Sequence, residues 1–266
     1  MPFTPSHAVV ALPFVRTPLA PAAIAVGAMT PDLPLFVRGL PLHYGVTHSF
    51  AWLPVTMLAA LALLLVWRCV LRPAARELSP GRLAARLPGE WDAAAAASAR
   101  ETFAGAPAVR VTVRSVMLLV VSLAIGVASH IVWDLFTHEG RWGAVALPAL
   151  DEEWGPLPGY KWLQYGSSIV GLAILGTFML ARRPDAASPT RLLPGWVRWC
   201  WWVSLPVVLV VAWGWGYALQ GPFDTSFTPA HLGYRVLPPA CAGWGAATLI
   251  LCVAIQVLRG RRSRSD

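Results

Sequence analysis

The chain has 266 residues, of which 56% are apolar and 13% are charged, and its net charge is +8. A soluble domain of this length would carry more charge, so the composition excludes an ordinary water-soluble protein. The arginines lie in short segments between apolar runs rather than along one polar face, which argues against nucleic acid as a partner. The lipid bilayer is the expected partner.

The first apolar segment, residues 8–29, is long enough to cross a bilayer, but three prolines and Arg16 interrupt it. Proline breaks an α-helix, and an arginine in the middle of a span is costly in lipid. A bent or re-entrant segment is therefore at least as compatible with the sequence as a straight span. At about 1.5 Å per residue, a straight helix would place His7 roughly 35 Å from Asp32, whereas a hairpin would bring it back.

Five further apolar runs are each long enough to cross a hydrocarbon core about 30 Å thick as a helix. The sequence therefore predicts an all-α, polytopic transmembrane bundle that forms a single membrane domain over residues 1–266. Residues 1–49 form its N-terminal re-entrant segment and outer loop, and residues 72–112 form an Arg- and Ala-rich inner loop. The five runs cover approximately residues 50–71, 113–133, 163–181, 197–219 and 237–258.

Arginine distribution predicts the orientation of these spans, because Lys and Arg are retained on the cytoplasmic side of a membrane. The arginine-rich segments 68–114, 182–198 and 259–264 are expected to be cytoplasmic, together with the C-terminus. The segments 134–161 and 221–234 are then expected to face outward. The abundance of Ala, Arg, Pro and Trp suggests a GC-rich bacterial genome, so the expected location is the bacterial cytoplasmic (inner) membrane.

The strongest polar motif is Ser129 to His138, at the outer end of the second apolar run. Its four-residue spacing places His130, Asp134 and His138 on one helix face in consecutive turns. Imidazole nitrogen and carboxylate oxygen both approach zinc to about 2.0–2.2 Å, so such a pair can share one divalent cation. The alternative is an interfacial helix end whose polar residues are solvated.

The other polar motifs are weak individually. His48 lies in Thr-His-Ser, five residues after His43, and is compatible with a solvated loop. Asp32 lies in Pro-Asp-Leu-Pro and is compatible with a helix cap or a turn. His7, taken alone, likewise does not indicate a metal ligand. The predicted topology nevertheless gathers five of the six histidines at the outer surface, and a hairpin would add His7 as the sixth. These five are His43, His48, His130, His138 and His231.

Several motifs together carry a family resemblance. Met-Pro-Phe-Thr-Pro-Ser-His, Pro-Asp-Leu-Pro, Thr-His-Ser, Ser-His-Ile-Val-Trp-Asp-Leu-Phe-Thr-His and Tyr-Lys-Trp-Leu-Gln-Tyr-Gly-Ser-Ser occur in that order. In the identity and order of these motifs, the chain resembles the uncharacterised bacterial membrane family catalogued as domain of unknown function 4184. The resemblance covers most of the chain apart from the Arg/Ala-rich loop, and it implies no established activity.

More distantly, the order His, Asp, His, His-x3-Asp is similar to membrane-bound metal-dependent hydrolases of the YdjM type and to the zinc phospholipase C and S1/P1 nuclease group. In that group such residues bind a cluster of zinc ions that activates water against phosphodiesters. His138 follows Asp134 more closely than in the group, and no clear downstream His-x3-Glu is present, which argues against a full three-metal cluster. The ligands that the resemblance implies are His7, Asp32, His48, His130 and Asp134.

A mixture of imidazole and carboxylate without thiolate suits zinc, with manganese or iron as alternatives. His138 or His43 is then expected to orient the substrate or to move protons. Three residues at the outer end of the next span are expected either to contact an anionic headgroup or to anchor and pack the helix. They are Lys161, Gln164 and Ser168.

The leading functional hypothesis is a metal-dependent hydrolase that acts at the outer membrane surface on a phospholipid or another lipid-linked or envelope phosphoester. A transporter or a non-catalytic scaffold is the alternative, and Pro206 and Gly171 within spans are compatible with it. Many transporters contain a repeat in each half of the chain. This sequence shows no such pair, which weakens the transporter alternative. A haem protein is a third possibility, but only His130 and His138 lie near a span.

Overall fold

A computed structural model of the chain describes residues 3–39, 41–184 and 191–265, and the side chains of residues 263–265 are not described. Met1 and Pro2 of the N-terminal motif lie outside the described residues. The described part is helical: helices account for 77% of the chain, and no strand is found there. The predicted all-α class is confirmed.

Eight helices of seven or more residues, together with an N-terminal 3-10 helix and a π-helical turn, make up most of the described chain. The 3-10 helix covers Thr4–Phe14. The α-helices are α1 (Pro21–Met29), α2 (Leu53–Val66), α3 (Arg72–Leu78), α4 (Ala95–Ala104), α5 (Val113–Thr137), α6 (Gly159–Ala181), α7 (Gly195–Gln220) and α8 (Pro229–Ser265), and the π-helical turn Trp67–Leu71 joins α2 to α3.

Shorter helical turns connect these elements. Several consist of a single turn and contain a proline at or near their start, as expected where proline fixes the backbone at the beginning of a helix. They are Thr30–Asp32, Leu33–Phe36, Tyr44–Thr47, Phe50–Trp52, Gly81–Ala84, Gly89–Asp92, Trp142–Ala146 and Pro148–Leu150.

Within the described residues, five helical stretches are long and apolar enough to cross a membrane, which confirms the predicted number of spans. Each extends beyond its apolar run; the first continues as far as Leu78, into the segment predicted as an inner loop. The N-terminal segment is bent, as one alternative predicted, because the chain leaves the helix between Phe14 and Pro21. The five stretches are Phe50–Leu78, Val113–Thr137, Gly159–Ala181, Gly195–Gln220 and Pro229–Arg262.

The chain forms two compact units. The first comprises Met1–Leu33, Leu42–Trp67 and Ala96–Arg182, and the second comprises Pro34–Pro41, Arg68–Ala95 and Arg183–Asp266. The single membrane domain expected over residues 1–266 stays a prediction.

In the first unit, α1 packs against α5 through a contact between two glycines. A Cβ atom on Gly126 would clash with the Ile24 carbonyl oxygen and would lie 2.9 Å from the Ala28 nitrogen. A Cβ atom on Gly27 would lie 2.9 Å from the Leu123 carbonyl oxygen. Small residues allow helices to approach this closely within a membrane, and here only glycine does so.

Apolar side chains surround this crossing and complete the core of the first unit. Ala23 and Val26 of α1 pack with Leu64 of α2 and with Leu123 and Val127 of α5. The apolar face of α1 is therefore covered by two of the candidate spans, and the segment that follows α1 has a fixed starting point.

The second unit contains a buried carboxylate that the sequence analysis did not single out. Glu77 of α3 accepts hydrogen bonds from the backbone nitrogens of Leu192 and Leu193, at 3.0 and 3.1 Å, and lies 3.3 Å from Arg198. Arg191 donates to the carbonyl oxygens of residues 76, 77 and 79. The start of the Arg/Ala-rich segment is therefore a packed part of the second unit.

The glycine contact yields a prediction about stability. Replacing Gly126 with alanine forces the backbones of α1 and α5 apart, and we expect it to lower the free energy of unfolding by about 1–3 kcal/mol. Titration of the detergent-solubilised protein with a denaturing detergent, followed by tryptophan fluorescence, measures the change.

The matched control is Gly176→Ala on α6, where an added Cβ meets no atom within 4 Å. We expect this variant to stay within about 0.5 kcal/mol of the wild type. Equal stability of the two variants would contradict a tight crossing at Gly126.

Candidate metal centre

Histidines and aspartates from four separate stretches of the first unit meet at one end of α5. Asp32 lies in the helical turn that follows α1, and His48 directly follows the turn Tyr44–Thr47. His130 and Asp134 are one turn apart on α5, and His7 comes from the 3-10 helix. The first four of these side chains are almost completely buried, as is most of His7.

The glycine contact positions His130 within this cluster. Because α1 and α5 touch there, the Ala28 carbonyl oxygen lies 2.7 Å from His130 Nδ1. A carbonyl only accepts a hydrogen bond, so Nδ1 carries the proton and Nε2 presents a lone pair. The backbone of α1 therefore selects the tautomer that leaves Nε2 free to bind a metal.

The spacing of the four innermost side chains suits a metal ion. His130 Nε2 lies 3.2 Å from His48 Nε2, 3.5 Å from Asp134 Oδ2 and 3.6 Å from Asp32 Oδ1. His48 Nε2 lies 3.3 Å from Asp134 Oδ2 and 3.8 Å from Asp32 Oδ1. In a tetrahedral zinc site with bonds of about 2.1 Å, neighbouring ligand atoms are about 3.4 Å apart.

Unpartnered polar atoms in the cluster agree with this geometry. Asp32 Oδ1, Asp134 Oδ1 and His7 Nε2 are buried and have no hydrogen-bond partner among the described residues. Buried polar atoms are nearly always satisfied in folded proteins, so three exceptions in one cluster require a physical explanation. A divalent cation would satisfy oxygen and nitrogen lone pairs together, so the residues present fit such an ion.

Two overlapping groups of ligands are formed. Asp32, His48 and His130 offer atoms that all lie within 4.8 Å of one another, and so do His7, His130 and Asp134. The His7 ring stacks on the His130 ring, with 4.1 Å between the centroids. Both groups contain His130, so a single ion bound by one group would occupy the shared ligand. The residues of the other group could then contact a second ion.

The ionisation of His7 and Asp32, which lie outside the spans, is also relevant. Burial, reinforced by the neighbouring His130 ring, lowers the pKa of His7 to about 3, so its imidazole is neutral near pH 7. Burial raises the pKa of the Asp32 carboxyl, because the charged form loses its hydration. Neutral imidazole is the form that binds metals, and a bound cation would favour the ionised carboxylate.

Thr4 and Tyr44 support the carboxylates, and sequence reasoning missed both. Thr4 Oγ1 donates to Asp32 Oδ2 at 2.6 Å, and the Tyr44 hydroxyl donates to Asp134 Oδ2 at 3.3 Å. The Tyr44 carbonyl accepts from His48 Nδ1 at 3.0 Å, which fixes that tautomer as well. The four-residue spacing between Tyr44 and His48, on one helical turn, was the available sequence signal.

His138 and Gln164 lie beside the cluster. α5 ends at Thr137, so His138 has an extended backbone instead of continuing the helix face. Its Nδ1 nevertheless lies 3.6 Å from Asp134 Oδ2, and its side chain remains 20% exposed. Gln164 is buried and donates to the Thr137 carbonyl, with its Nε2 3.4 Å from His138 Nε2.

The remaining predicted residues make other contacts. Ser168 Oγ accepts from the Phe3 backbone nitrogen at 2.9 Å, which ties the N-terminal segment to α6. Lys161 Nζ lies 5.6 Å from the centroid of the Tyr160 ring. His43 is exposed, and its side chain forms no hydrogen bond or ion pair with the cluster in the described part of the chain. His231 belongs to the second unit, where it contacts Thr228.

Comparison with known proteins gives one match. A protein family described as "Domain of unknown function (DUF4184)" matches residues 1–214, about four fifths of the chain. The matched residues include every member of the cluster. No curated protein and no solved structure matches the chain.

The cluster yields a prediction about metal content. Protein purified in detergent without chelators and loaded with zinc should retain at least about one equivalent, since the ligands are preorganised. His130→Ala removes the ligand common to both groups, and Asp134→Ala removes a carboxylate, so each should retain less than about a tenth of an equivalent. Elemental analysis by mass spectrometry measures the content.

His231→Ala is the matched control, because it removes a histidine of the second unit. It should bind as much zinc as the wild type. Equal zinc content in His130→Ala and wild type, with both proteins monodisperse on size-exclusion chromatography, would show that the cluster does not hold the metal.

Proposed function

The chain belongs to the family described as domain of unknown function (DUF4184), and we propose that it is a membrane-embedded, divalent-metal-dependent hydrolase. One observation carries the proposal: three imidazoles and two carboxylates form a buried cluster in which three polar atoms have no hydrogen-bond partner in the part of the chain that the structure describes. Ionisable groups at membrane depth are costly and usually mark a function.

His7, Asp32, His48, His130 and Asp134 are the residues that would hold the metal. Their mixture of nitrogen and oxygen donors without thiolate favours zinc, with manganese and iron as alternatives. A metal ion held there would supply Lewis-acid chemistry: it would lower the pKa of a water molecule toward neutrality and would polarise a phosphoryl oxygen. The Ala28 carbonyl would hold His130 in one orientation, and the Tyr44 carbonyl would do the same for His48.

His138 is the residue we propose for proton transfer. It lies against Asp134 but is more exposed than the cluster, so it can exchange protons with solvent. Gln164, whose amide lies beside His138, is proposed to orient this ring. The roles predicted for His43 as a catalytic residue, and for Lys161, Gln164 and Ser168 as headgroup contacts, stay predictions.

The proposed reaction is hydrolysis of a phospholipid or another lipid-linked phosphoester. Metal sites with nitrogen and oxygen ligands favour this chemistry because the cation offsets charge on phosphoryl oxygens. The distant resemblance to YdjM-type hydrolases and to the zinc phospholipase C and S1/P1 nuclease group supports the same reaction class. A transporter that binds an ion at the cluster is the rival function, since a buried polar site between helices suits either role.

We further propose that the protein is one membrane domain in the bacterial cytoplasmic membrane, with the cluster on the extracytoplasmic side. The arginine-rich segments 68–114, 182–198 and 259–264 support this orientation. The cluster lies at the C-terminal end of α5, the end opposite the arginines of residues 110 and 114.

Turnover of bis(p-nitrophenyl) phosphate by the zinc-loaded protein tests the proposed activity. Release of p-nitrophenol should require the metal and should fall by at least about 100-fold in Asp134→Asn, since stabilisation of the reacting charge is lost. His231→Ala should keep wild-type turnover. Zinc flux into proteoliposomes by a protein without any metal-dependent turnover would favour the transporter and contradict the hydrolase.

The orientation is tested by cysteine labelling after the four native cysteines are replaced with alanine. Glu152→Cys and Arg82→Cys introduce a thiol at exposed positions in predicted outer and inner segments. In intact spheroplasts, a membrane-impermeant maleimide should label the thiol at position 152, and it should label the one at position 82 only after lysis. The reverse pattern would place the cluster on the cytoplasmic side.

A further inference from the structure

A cavity of about 380 Å³ lies beside the cluster, within the first unit. Its walls come from the 3-10 helix, α5 and α6, and His7 is one of its lining residues. Its volume is within the range of about 300–1,000 Å³ that is common for small-molecule sites. The mechanism proposed above does not use this space.

The walls of the cavity include serines, but the hydroxyl groups of two of them are already engaged in hydrogen bonds within the protein. Ser129 Oγ donates to the Gly126 carbonyl, and Ser167 Oγ donates to the Gln164 carbonyl. Trp133 Nε1 donates to Ser167 Oγ, so these polar groups already have partners. Away from His7, an occupant therefore meets mainly carbon, and polar groups placed there would lose their hydration with few hydrogen bonds in return.

The cavity opens sideways on the surface of two candidate spans. Val170 and Ile174 of α6 are 56% and 44% exposed, and Trp133 of α5 is 37% exposed. In a bilayer, this surface is expected to face hydrocarbon, because Val170 and Ile174 lie well inside an apolar helix and Trp133 lies one turn from the end of another. The opening therefore gives access from the lipid phase, where an aliphatic chain is the available occupant.

The polar end of the cavity is His7, whose Nε2 is buried and has no hydrogen-bond partner within residues 3–39, 41–184 and 191–265. Val10 follows His7 by three residues on the same 3-10 helix and also lines the cavity. Residues three apart on such a helix lie on one face, separated by about 6 Å. One continuous surface thus leads from the candidate ligands to the apolar walls.

We propose that this cavity binds the aliphatic chain of a lipid substrate, so that the phosphoester at the end of the chain lies at the cluster; this rests on the proposed hydrolase function. The substrate class is accordingly a phosphoester that carries at least one long alkyl chain. The chain enters from the bilayer, and the group to be hydrolysed meets the ligands at His7.

The test compares p-nitrophenyl phosphodiesters whose second ester group is methyl or hexadecyl, presented in mixed micelles at equal surface concentration. For the zinc-loaded wild type, kcat/KM should be at least about tenfold higher for the hexadecyl diester, as expected from burying two or more methylene groups. Ile174→Trp on α6 and Val10→Trp on the 3-10 helix each place a large side chain in the cavity. Each should abolish the preference while leaving methyl diester turnover within about twofold of the wild type.

Ile169→Trp is the matched control, since Ile169 is on the same helix but is exposed and does not line the cavity. It should keep the wild-type preference. Retained methyl diester turnover shows that the tryptophan variants fold. An undiminished hexadecyl preference in both cavity variants would overturn the chain site.

A second measurement separates the chain site from the activity. A hexadecyl phosphodiester with a terminal diazirine should crosslink on illumination to cavity-lining residues of α6 and the 3-10 helix. Such crosslinks without any turnover would support the chain site and contradict the hydrolase. Turnover of both diesters at equal rates, with crosslinks spread over all five spans, would support the hydrolase and overturn the chain site.

Discussion

The backbone contact between Gly27 of α1 and Gly126 of α5 is the constraint on which the candidate site depends. No side chain fits at this crossing, so the two helices approach until the Ala28 carbonyl reaches His130 Nδ1 at 2.7 Å. This hydrogen bond fixes the imidazole tautomer and directs Nε2 toward the cluster. The same contact fixes the end of α1, from which the chain turns into Asp32, so helix packing and ligand placement have one origin.

Two buried carboxylates make the cluster unfavourable unless something compensates their charge. The free-energy cost of burying an ion is several kcal/mol even after relaxation. Thr4 and Tyr44 satisfy one oxygen of each carboxylate, but Asp32 Oδ1 and Asp134 Oδ1 receive no hydrogen bond among the described residues. His7, with its lowered pKa, remains neutral and does not supply the missing positive charge. A divalent cation between these side chains would offset this charge and would be coordinated by the unpartnered oxygens, so the cluster fits such an ion.

Local sequence patterns predicted those features that depend on local spacing. Apolar run length gave the five spans, and the four-residue spacing placed His130 and Asp134 together on α5. His48 lies 82 residues before His130 along the chain, and no periodicity encodes that contact, so only family resemblance suggested it. The bend before Pro21 stayed an alternative because prolines permit both a kinked span and a hairpin. Glu77 was missed because its partners, near residues 191–198, are distant in sequence.

The N-terminal 3-10 helix joins the polar and apolar parts of the first unit. With three residues per turn, it places Thr4, His7 and Val10 on one face. Thr4 supports the Asp32 carboxylate, His7 belongs to the candidate ligands, and Val10 lines the cavity. An α-helix of the same sequence would rotate each successive residue of this series away from the others, because it has 3.6 residues per turn. Runs of 3-10 helix this long are uncommon. Here the helix places on one face a residue that supports a carboxylate, a candidate metal ligand and a cavity-lining residue, and the proposed lipid phosphoester would require all three.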